Sequence, residues 1–539
     1  MTIFAVAIIL IVALLAIRAS DRFGIPSLLL FLLLGVGTKM LGVNYSDFEL
    51  ADKFASLALM VIMFYGGFGT NWKMGKPVVK EAGVLATLGV VATALITGAF
   101  IHYVLKLPLV ESMLIGSIVG STDYASVSSI LTSKNLNLKY NSASLLEMES
   151  GSNDPTAYTM TMIFLSIMLG TELSIATLVI KQITFGVGFG FLFGFLFKRF
   201  IERINIQQDG LFVIFVTAMA LLVYSATNLL DGNGYLAVYL FGIFIGNLEF
   251  QDKRSVVFFF DGFTELMQIG LFFLLGLLSD PKAILNNLPM AFAIMLFMTF
   301  IARPASVWGL MLPFKLQKNQ LHVITWAGLR GAAAIAFAIM AVNANAGYVS
   351  DIYHIVFGIC ILSSFIQGSL MPQISRKANM LDPDDTVLKT FNYYQDKTGV
   401  GFLQTKIGPN SKMIGVPVAN MDMAFDFIVA QILRDGKAIV PRGHVVLEEG
   451  DTIVLAGEYY FDPQGHELTE IVLSDSHPFT NNRIVDLDLS PKELILMILT
   501  NAGDIVVPEG DTLLQAGDRI IMIEDEKEFV IPEQPQEQA

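Results

Sequence analysis

The sequence predicts a polytopic α-helical membrane protein that continues into an acidic, water-soluble tail. Hydrophobic residues make up 54% of the 539 residues and charged residues only 15%, a balance typical of membrane proteins. Apolar segments of about 20 residues, the length that crosses a bilayer, recur as far as residue 374. The net charge of −14 is divided unevenly, with −17 in residues 381–539 and +3 in residues 1–380. These observations exclude a soluble enzyme for most of the length, and the acidic tail disfavours nucleic-acid binding.

Thirteen segments are predicted as transmembrane helices, at residues 2–17, 25–42, 54–69, 82–105, 108–130, 145–169, 175–198, 211–229, 233–250, 255–279, 288–312, 321–343 and 350–374. The first has no basic leader or cleavage site, so it is interpreted as a helix and not as a removable signal. Sixteen Lys and Arg residues of the connecting loops fall on one side, against Lys53, Lys106 and Lys282 on the other. Because basic residues collect in the cytoplasm, we expect the N-terminus outside and the C-terminus inside.

The sixth segment carries charge where a membrane helix is normally apolar. Glu147, Glu149 and Asp154 lie within residues 145–169, and an ionised carboxylate in hydrocarbon costs roughly 3 kcal/mol or more. Pro155 follows directly and has no N–H to donate to the preceding helical turn, which loosens the helix at this point. The stretch therefore predicts an ion site within a weakened helix.

Charged residues of five predicted helices lie at a similar depth. A rise of about 1.5 Å per residue places Asp123 and Asp154 roughly 10–14 Å from the cytoplasmic ends of their segments. Glu265, Arg303 and Arg330 lie nine or ten residues inside theirs. The shared depth favours one functional layer, with Asp154 as its functional member, whereas structural ion pairs that hold the bundle together are the alternative for Glu149, Glu265 and the two arginines.

Two of these charges lie in sequences that form poor helices. Gly120, Ser121 and Thr122 precede one of the aspartates, and Gly328 and Gly331 flank one of the arginines. Unwound backbone at membrane depth exposes carbonyl groups that can bind a cation, as in many transporters. Close helix packing through small residues is the other interpretation.

The tail contains an internal repeat. Residues 435–457 match residues 502–524 at an offset of 67, and each copy predicts three strands joined by turns, after a helix-like segment. Two small α+β lobes follow from this pattern. The predicted organisation is a membrane domain at 1–377, a polar linker at 378–388, lobes at 389–460 and 461–529, and a disordered end at 530–539.

Other classes of function find less support in the sequence. The six histidines are scattered without metal-ligand spacing, so no enzyme is indicated and no cofactor is expected. A ligand-gated channel would be expected to show a filter such as Thr-Val-Gly-Tyr-Gly, which the sequence lacks. A membrane sensor gives no reason for charges of five helices at one depth.

Four short motifs resemble the monovalent cation/proton antiporter family, and most closely its NhaP-like branch. They are GSTD at 120–123, ESGSNDP at 149–155, ARP at 302–304 and GLRGA at 328–332, in the order and spacing of that family. The resemblance covers about residues 1–380. It implies an inverted-repeat fold with thirteen helices, two crossing interrupted helices, a homodimer and a place in the bacterial cell membrane.

The resemblance also implies which residues bind the ion. A monovalent cation and proton site would be centred on Asp154 and assisted by Asp123, Ser150, Asn153 and Thr122. Because Asn153 stands where some relatives have a second aspartate, one main titrating group is left in the pair. That arrangement favours electroneutral exchange of one cation for one proton.

Further roles follow from the same resemblance. Glu149 and Arg330 would form a structural ion pair. Tyr65, and by their depth Glu265 and Arg303, are further candidates for a supporting role. Tyr65 stands where relatives tend to carry an acid in the third helix, and a neutral phenol supplies no anionic ligand at neutral pH. The less negative site favours K⁺ over Na⁺.

The tail repeats resemble the C-terminal lobe of RCK (TrkA-C) domains, which regulate transport proteins and dimerise. The resemblance implies a K⁺/H⁺ antiporter controlled by a small ligand, with a nucleotide or cyclic dinucleotide as the first to test. In so acidic a tail, an anion pocket must be local, near Lys412, Arg434, Lys437 or Arg442. A solvated basic surface is the alternative.

Overall fold

The computed structural model describes most of residues 3–381 and 400–524. Short gaps lie at 24–26, 44, 124–125, 128–129, 131–137, 172–173, 204–208, 249 and 251–252, and in the tail at 409–412, 419–427, 435–436, 440, 459–466, 475–476, 488, 490–492, 501–504, 507 and 509. The chain divides into two compact units, residues 1–398 and 399–539. They are called the membrane unit and the tail unit below.

The described part of the membrane unit is built from α-helices. These are α1 Ile3–Phe23, α2 Ser27–Met40, α3 Phe48–Gly69, α4 Trp72–Gly75, α5 Val79–Val84, α6 Val90–Leu105, α7 Leu109–Ile118, α8 Ser142–Met168, α9 Ile175–Ile201, α10 Asp209–Asn228, α11 Gly234–Gly246, α12 Lys253–Leu278, α13 Pro281–Phe297, α14 Arg303–Met311, α15 Lys318–Trp326, α16 Ala332–Asn343, α17 Ile352–Ser363 and α18 Ser369–Lys377. Single π-helical turns join α5 to α6, α13 to α14 and α17 to α18.

The lengths and apolarity of these helices identify a multi-pass membrane protein. Six continuous helical segments of the described chain are long and apolar enough to cross a membrane, namely Lys76–Leu105, Ile175–Ile201, Gly210–Leu229, Lys253–Leu278, Pro281–Phe314 and Ile352–Lys377. Shorter apolar helices lie between them. Each of the thirteen segments predicted from the sequence overlaps at least one helix. The predicted polytopic helical architecture is confirmed at this level.

Short polar side chains fix where several helices begin. Asp47, Asn233, Asp280 and Asp351 precede α3, α11, α13 and α17, and each side chain accepts a hydrogen bond from an N–H group of the first turn. Such N-caps satisfy backbone donors that a helix cannot pair internally. The core between the helices consists of a large apolar cluster that includes side chains of α3, α11, α12, α16 and α17, and a smaller one around α5, α8, α14 and α15.

Two helical segments are interrupted, and the interruptions touch. Helix α7 ends at Ile118 and the chain is not helical over 119–123, while α15 and α16 are separated by residues 327–331. The Asp123 N–H donates to the Leu329 carbonyl at 2.8 Å. Gly120, Ser121 and Thr122 occupy the first break, and Gly328 and Gly331 the second, as expected from the poor helix propensity of these residue types. Non-helical backbone of two segments is thereby brought to one place.

Glycines let two pairs of helices approach until their backbones touch. A Cβ atom on Gly246 of α11 would lie 2.1 Å from the Phe68 carbonyl oxygen of α3, and one on Gly276 of α12 would lie 2.1 Å from the Leu32 carbonyl oxygen of α2. Any larger residue would push these helices apart. The pairs α3 with α11 and α2 with α12 are therefore packed backbone against backbone.

The tail unit contains two antiparallel sheets of the same design. Their strand orders are β1-β4-β2-β3 and β5-β8-β6-β7, and the register shifts within β2 and within β6. The strands are β1 Val400–Lys406, β2 Ile428–Arg434, β3 Lys437–Ile439, β4 Thr452–Glu458, β5 Glu467–Val472, β6 Glu493–Leu499, β7 Ile505–Val506 and β8 Arg519–Glu524. The repeat found in the sequence corresponds to this duplicated topology.

One expectation for the tail is wrong. The segment before the first copy was expected to be helix-like, but Ile428–Arg434 is strand β2, with Ile432 buried in the sheet core. Its β-branched residues suit a pleated, half-buried surface. Residues 419–427, most of the predicted linker and the predicted disordered end lie outside the described residues.

A buried ion pair holds the first sheet to its turn. The Asp451 carboxylate is fully buried and accepts from Arg434 Nε and Nη2, each at 2.8 Å. The Arg434 guanidinium also donates to Glu448 and to the Val446 carbonyl. Arg434 was predicted as a ligand-binding candidate, but its donors are used within its own lobe. Of the other candidates, Arg442 is exposed and the side chains of Lys412 and Lys437 lie outside the described residues.

Replacing Asp451 with Asn is expected to destabilise the first sheet by about 2 kcal/mol at neutral pH, because it removes hydrogen bonds to a charged group. The Arg434 guanidinium holds the pKa of the Asp451 carboxyl below its usual value. The stabilisation is therefore present above the unfolded-state pKa, near 4, and is lost as the pH falls through the folded-state value.

Hydrogen–deuterium exchange of strands β2 and β4 in the full-length protein measures this effect. The matched control is Asp518→Asn in the second repeat, where the strand registers place neutral Thr500 at the position of Arg434. We expect the first substitution to lower protection of its sheet more than the second does. Equal losses in both sheets would show that the arginine contributes nothing.

Candidate cation and proton site

Asp154 lies on α8 beside the break that follows α7. Its side chain lies next to the Ser121 hydroxyl, and it is close enough to Asp123 for the two carboxylates to interact electrostatically. The Oδ1 atom is buried and has no hydrogen-bond partner among the described residues. Most buried polar atoms in proteins are paired, so such an oxygen indicates a place for a ligand. A single carboxylate oxygen in this position can bind a monovalent cation or a proton.

Two side chains of α8 hold the extended chain in place. The Ser150 hydroxyl donates to the Thr122 carbonyl oxygen at 2.6 Å, and Asn153 Nδ2 donates to Thr122 Oγ1 at 2.5 Å. Asn153 Oδ1 is buried without a hydrogen-bond partner in the described structure. The residues that the sequence grouped around Asp154 are thus adjacent, and oxygen atoms of α8 and of the break face one region.

Asp123 lies where the two breaks meet. The Ser126 hydroxyl donates to Asp123 Oδ2 at 2.5 Å. A Cβ atom on Gly331 would lie 2.2 Å from that same Oδ2, so only glycine fits at this position. The second break therefore supplies the space that the Asp123 carboxylate occupies, which gives Gly331 a steric role that its motif alone did not reveal.

Arg330 binds the carbonyl end of α7. Its Nη1 atom donates to the carbonyl oxygens of Val119, Gly120 and Ser121 at 2.6, 2.7 and 2.7 Å. The guanidinium is 3% exposed. The last carbonyl groups of a helix have no internal partners and carry the negative end of the helix dipole. From the opposite break, Arg330 supplies both a hydrogen-bond donor for these carbonyl groups and a positive charge near the end of the dipole. It thereby connects the two interrupted segments.

The predicted pairing of Glu149 with Arg330 is wrong. Glu149 Oε1 lies 2.6 Å from Arg303 Nη1, and the two side chains are 1% and 3% exposed. Arg303 begins α14 directly after a π-helical turn, a distortion often found at functional positions. Arg330 donates from Nη1 to three backbone carbonyl oxygens, and Glu149 pairs with the other arginine of the same layer.

Glu149→Gln and Arg303→Gln are each expected to destabilise the protein by about 3–5 kcal/mol, because each leaves one buried charge unpaired. The double substitution should recover part of the loss, and thermal unfolding in detergent measures it. Combining Glu149→Gln with Arg330→Gln provides the comparison and should give little recovery. Recovery in that second combination alone would assign the pair to Arg330 after all.

The supporting residues of α3 and α12 differ from expectation. The Tyr65 hydroxyl donates to Asp261 Oδ1 at 3.2 Å, so a carboxylate from another helix contacts the neutral residue of the third predicted span. Glu265 was expected to be buried, but its side chain is exposed. Helix α12 buries a stripe that includes Phe260 and Met267, and Glu265 lies off that stripe.

Tyr239 of α11 is a site residue that the sequence did not reveal. A Cβ atom on Gly151 would lie 2.7 Å from its hydroxyl oxygen, and that oxygen is 3.5 Å from the Ser152 hydroxyl. It also lies within electrostatic range of Glu147 and Asp154. An aromatic residue in an apolar segment normally indicates core packing, so no sequence signal distinguished Tyr239 from its neighbours.

The fold and this arrangement define a class of protein. A multi-pass helical bundle in which two interrupted segments meet beside buried charges is the construction of secondary ion transporters. The family model described as sodium/hydrogen exchanger, transmembrane, matches residues 7–377, and the TrkA-C domain model matches residues 403–458. The chain belongs to the sodium/hydrogen exchanger family and carries a C-terminal TrkA-C domain. It is a monovalent cation/proton antiporter and not an enzyme.

Several curated proteins share sequence with most of the chain. It is 32% identical over 470 residues to the K(+)/H(+) antiporter NhaP2 of Shewanella sp. (strain ANA-3). The aligned region covers 84% of this chain and 80% of that protein. The K(+)/H(+) antiporter NhaP of Alkalimonas amylolytica is 30% identical over 466 residues, with 84% and 81% covered. The Na(+)/H(+) antiporter ApNhaP of Aphanothece halophytica is 25% identical over 377 residues, with 66% and 70% covered.

Solved structures share the fold of the membrane unit. The sodium proton antiporter MjNhaP1 from Methanocaldococcus jannaschii, solved at pH 8, superimposes with a TM-score of 0.62 at 23% identity and covers 70% of this chain and 98% of its own. A second structure of the same protein gives a TM-score of 0.59. At this level of identity the likeness concerns the fold.

Proposed function

We propose that this protein exchanges K⁺ for H⁺ across a bacterial cell membrane, one for one, with Asp154 as the carrier group and Na⁺ as the alternative cation. The observation that carries the proposal is the buried Asp154 oxygen without a hydrogen-bond partner, placed beside two touching helix breaks. The names of relatives at 30–32% identity over 84% of the chain support K⁺.

The mechanism follows from competition at one carboxylate. Burial disfavours the charged form of Asp154, and a cation that binds it restores that form, so the group holds either a proton or a cation. Ser121, Thr122 and Asn153 contribute oxygen atoms beside it. Alternating access of the helices then presents Asp154 to one side and the other, which couples the two fluxes.

The wider architecture is part of the proposal. Thirteen spans with an inverted repeat and two crossing interrupted helices would form a homodimer, with the N-terminus outside and the C-terminus in the cytoplasm. The distribution of basic loop residues supports this orientation. The domain limits stay as predicted, at 1–377, 378–388, 389–460, 461–529 and 530–539.

The tail is proposed to regulate exchange and not to take part in it. Its duplicated sheets resemble each other in strand order, and one of them matches a TrkA-C domain. The residues proposed for the ion site all precede residue 331. A nucleotide or a cyclic dinucleotide is the ligand class we would test first on the full-length protein.

Exchange by purified protein in liposomes tests the proposed function. A pH-sensitive dye inside the vesicles reports proton movement when K⁺ or Na⁺ is added at the same ionic strength. We expect K⁺ to drive proton movement with the lower half-saturation concentration. A preference for Na⁺ would reassign the cation, and no response to either would contradict the proposed activity.

A further inference from the structure

We propose that Asp52 forms a second cation and proton site, together with Asn343 and three tyrosines, on the route between Asp154 and the membrane surface at the start of α3. The inference rests on the proposed antiport and adds a second site at which the transported ion binds transiently. It concerns a cluster of polar side chains that the sequence analysis did not single out.

The cluster continues the face of α8 that carries Asp154. Tyr158 follows Asp154 by four residues, one helical turn, or about 6 Å along the axis. The Tyr158 hydroxyl lies within electrostatic range of Asp52, which is in the second turn of α3. Asp52 is therefore reached from the carrier carboxylate of Asp154 by following α8 toward its C-terminal end, past Tyr158.

Aromatic hydroxyls connect the two helices to their neighbours. The rings of Tyr158 and Tyr235 pack edge to face at 5.1 Å, and those of Tyr224 and Tyr235 are 5.2 Å apart. The Tyr235 hydroxyl lies close to Ser56, one turn after Asp52 on α3. Phenol, hydroxyl and carboxylate oxygens from α3, α8, α10 and α11 thus lie in one region, and oxygen atoms are the ligands that alkali cations take in proteins.

The contacts of Asp52 are with neutral groups. Asn343 Nδ2 donates to Asp52 Oδ2 at 3.0 Å, and Asn343 is the last residue of α16, the helix that begins after the second break. The adjacent Lys53 ammonium instead pairs with Glu49 at 2.7 Å, among side chains that are about 70% exposed. A half-buried carboxylate facing an amide and phenols keeps its capacity to take a cation or a proton.

A purely structural tie between α3 and α16 is the competing interpretation, and it predicts different kinetics. Loss of a tie would lower stability and affect transport equally from both faces of the membrane. Loss of an ion site on one route should weaken cation access from that face alone, because the route from the other face to Asp154 does not pass Asp52.

Asp52→Asn in right-side-out and inside-out membrane vesicles separates the two interpretations. We expect the apparent KM for K⁺ to rise about tenfold at the face where α3 begins, the size of a partly screened charge interaction, with the KM at the other face unchanged. Glu49→Gln is the matched control, because it removes an exposed carboxylate one turn earlier. It should leave both values unchanged.

Tyr158→Phe provides a second variant that keeps the ring packing. Loss of its hydroxyl should raise the same KM in the same direction, by a smaller factor. If Asp52→Asn does not fold, this variant decides the question. An unchanged KM at both faces, or an equal rise at both, would overturn the second site while wild-type exchange in the same vesicles still upholds the proposed antiport.

Discussion

Asp154→Asn is expected to abolish cation-driven proton movement in liposomes. The substitution preserves the shape of the side chain but removes the group that binds the proton and the charge that attracts the cation. Because the Asp154 side chain holds no described ion pair, the protein should still insert and elute as wild type in detergent. The loss would thus be one of transport and not of folding.

Two comparisons sharpen this prediction. Asp231→Asn removes an exposed carboxylate that pairs with Lys181, so it should exchange as wild type does. Asp123→Asn should retain activity with a weaker apparent affinity for the cation, since Asp123 is hydrogen-bonded to Ser126 and assists from the break. Exchange that persists in the Asp154 variant would remove that residue from the carrier role.

Arg330→Gln is expected to cause the largest loss of stability. Three buried carbonyl oxygens lose their charged donor, and each unsatisfied group costs about 1–3 kcal/mol. The two interrupted segments would then lose a principal connection. Thermal unfolding in detergent should shift to markedly lower temperature, and exchange should fall with it, because the break that carries Thr122 is held less firmly.

The stability should depend on the geometry of the Arg330 guanidinium as well as on its charge. Arg330→Lys keeps the charge but places one ammonium where a planar guanidinium spans several acceptors, so an intermediate stability is expected. Arg376→Gln, at an exposed helix end, is the matched control and should leave the midpoint unchanged. A wild-type midpoint in Arg330→Gln would show that the carbonyl groups find other donors and that the connection is dispensable.

The sequence predicts these features to different extents for physical reasons. Carboxylates within a segment of membrane length are conspicuous because charge is costly in hydrocarbon, so the sequence alone indicates the stretch around Asp154. The sequence also predicts the two breaks, because glycine, serine and threonine at 120–122 and the glycines at 328 and 331 disfavour a helix. Both signals are local, and each can be read from one segment at a time.

Contacts between helices were harder to predict. Counting residues along a helix gives the depth of Arg303 and Arg330, which is similar, but not the direction in which each side chain points. The choice of partner for Glu149 depends on that direction, and so does the exposure of Glu265. Tyr239 gave no signal because its importance comes from contact with a helix far away in the chain.

The glycine contacts also bear on which helices can move past one another. Backbones in direct contact, as in α3 with α11 and α2 with α12, leave no side-chain layer to rearrange, so each pair is expected to travel as a single body. Between α8 and α11, Gly151 contacts a side chain instead, the ring of Tyr239, in addition to the Tyr158–Tyr235 ring pair. A side chain can change its rotamer where two backbones in contact cannot, so α8 and α11 are joined less rigidly at Gly151 than the two glycine-packed pairs are.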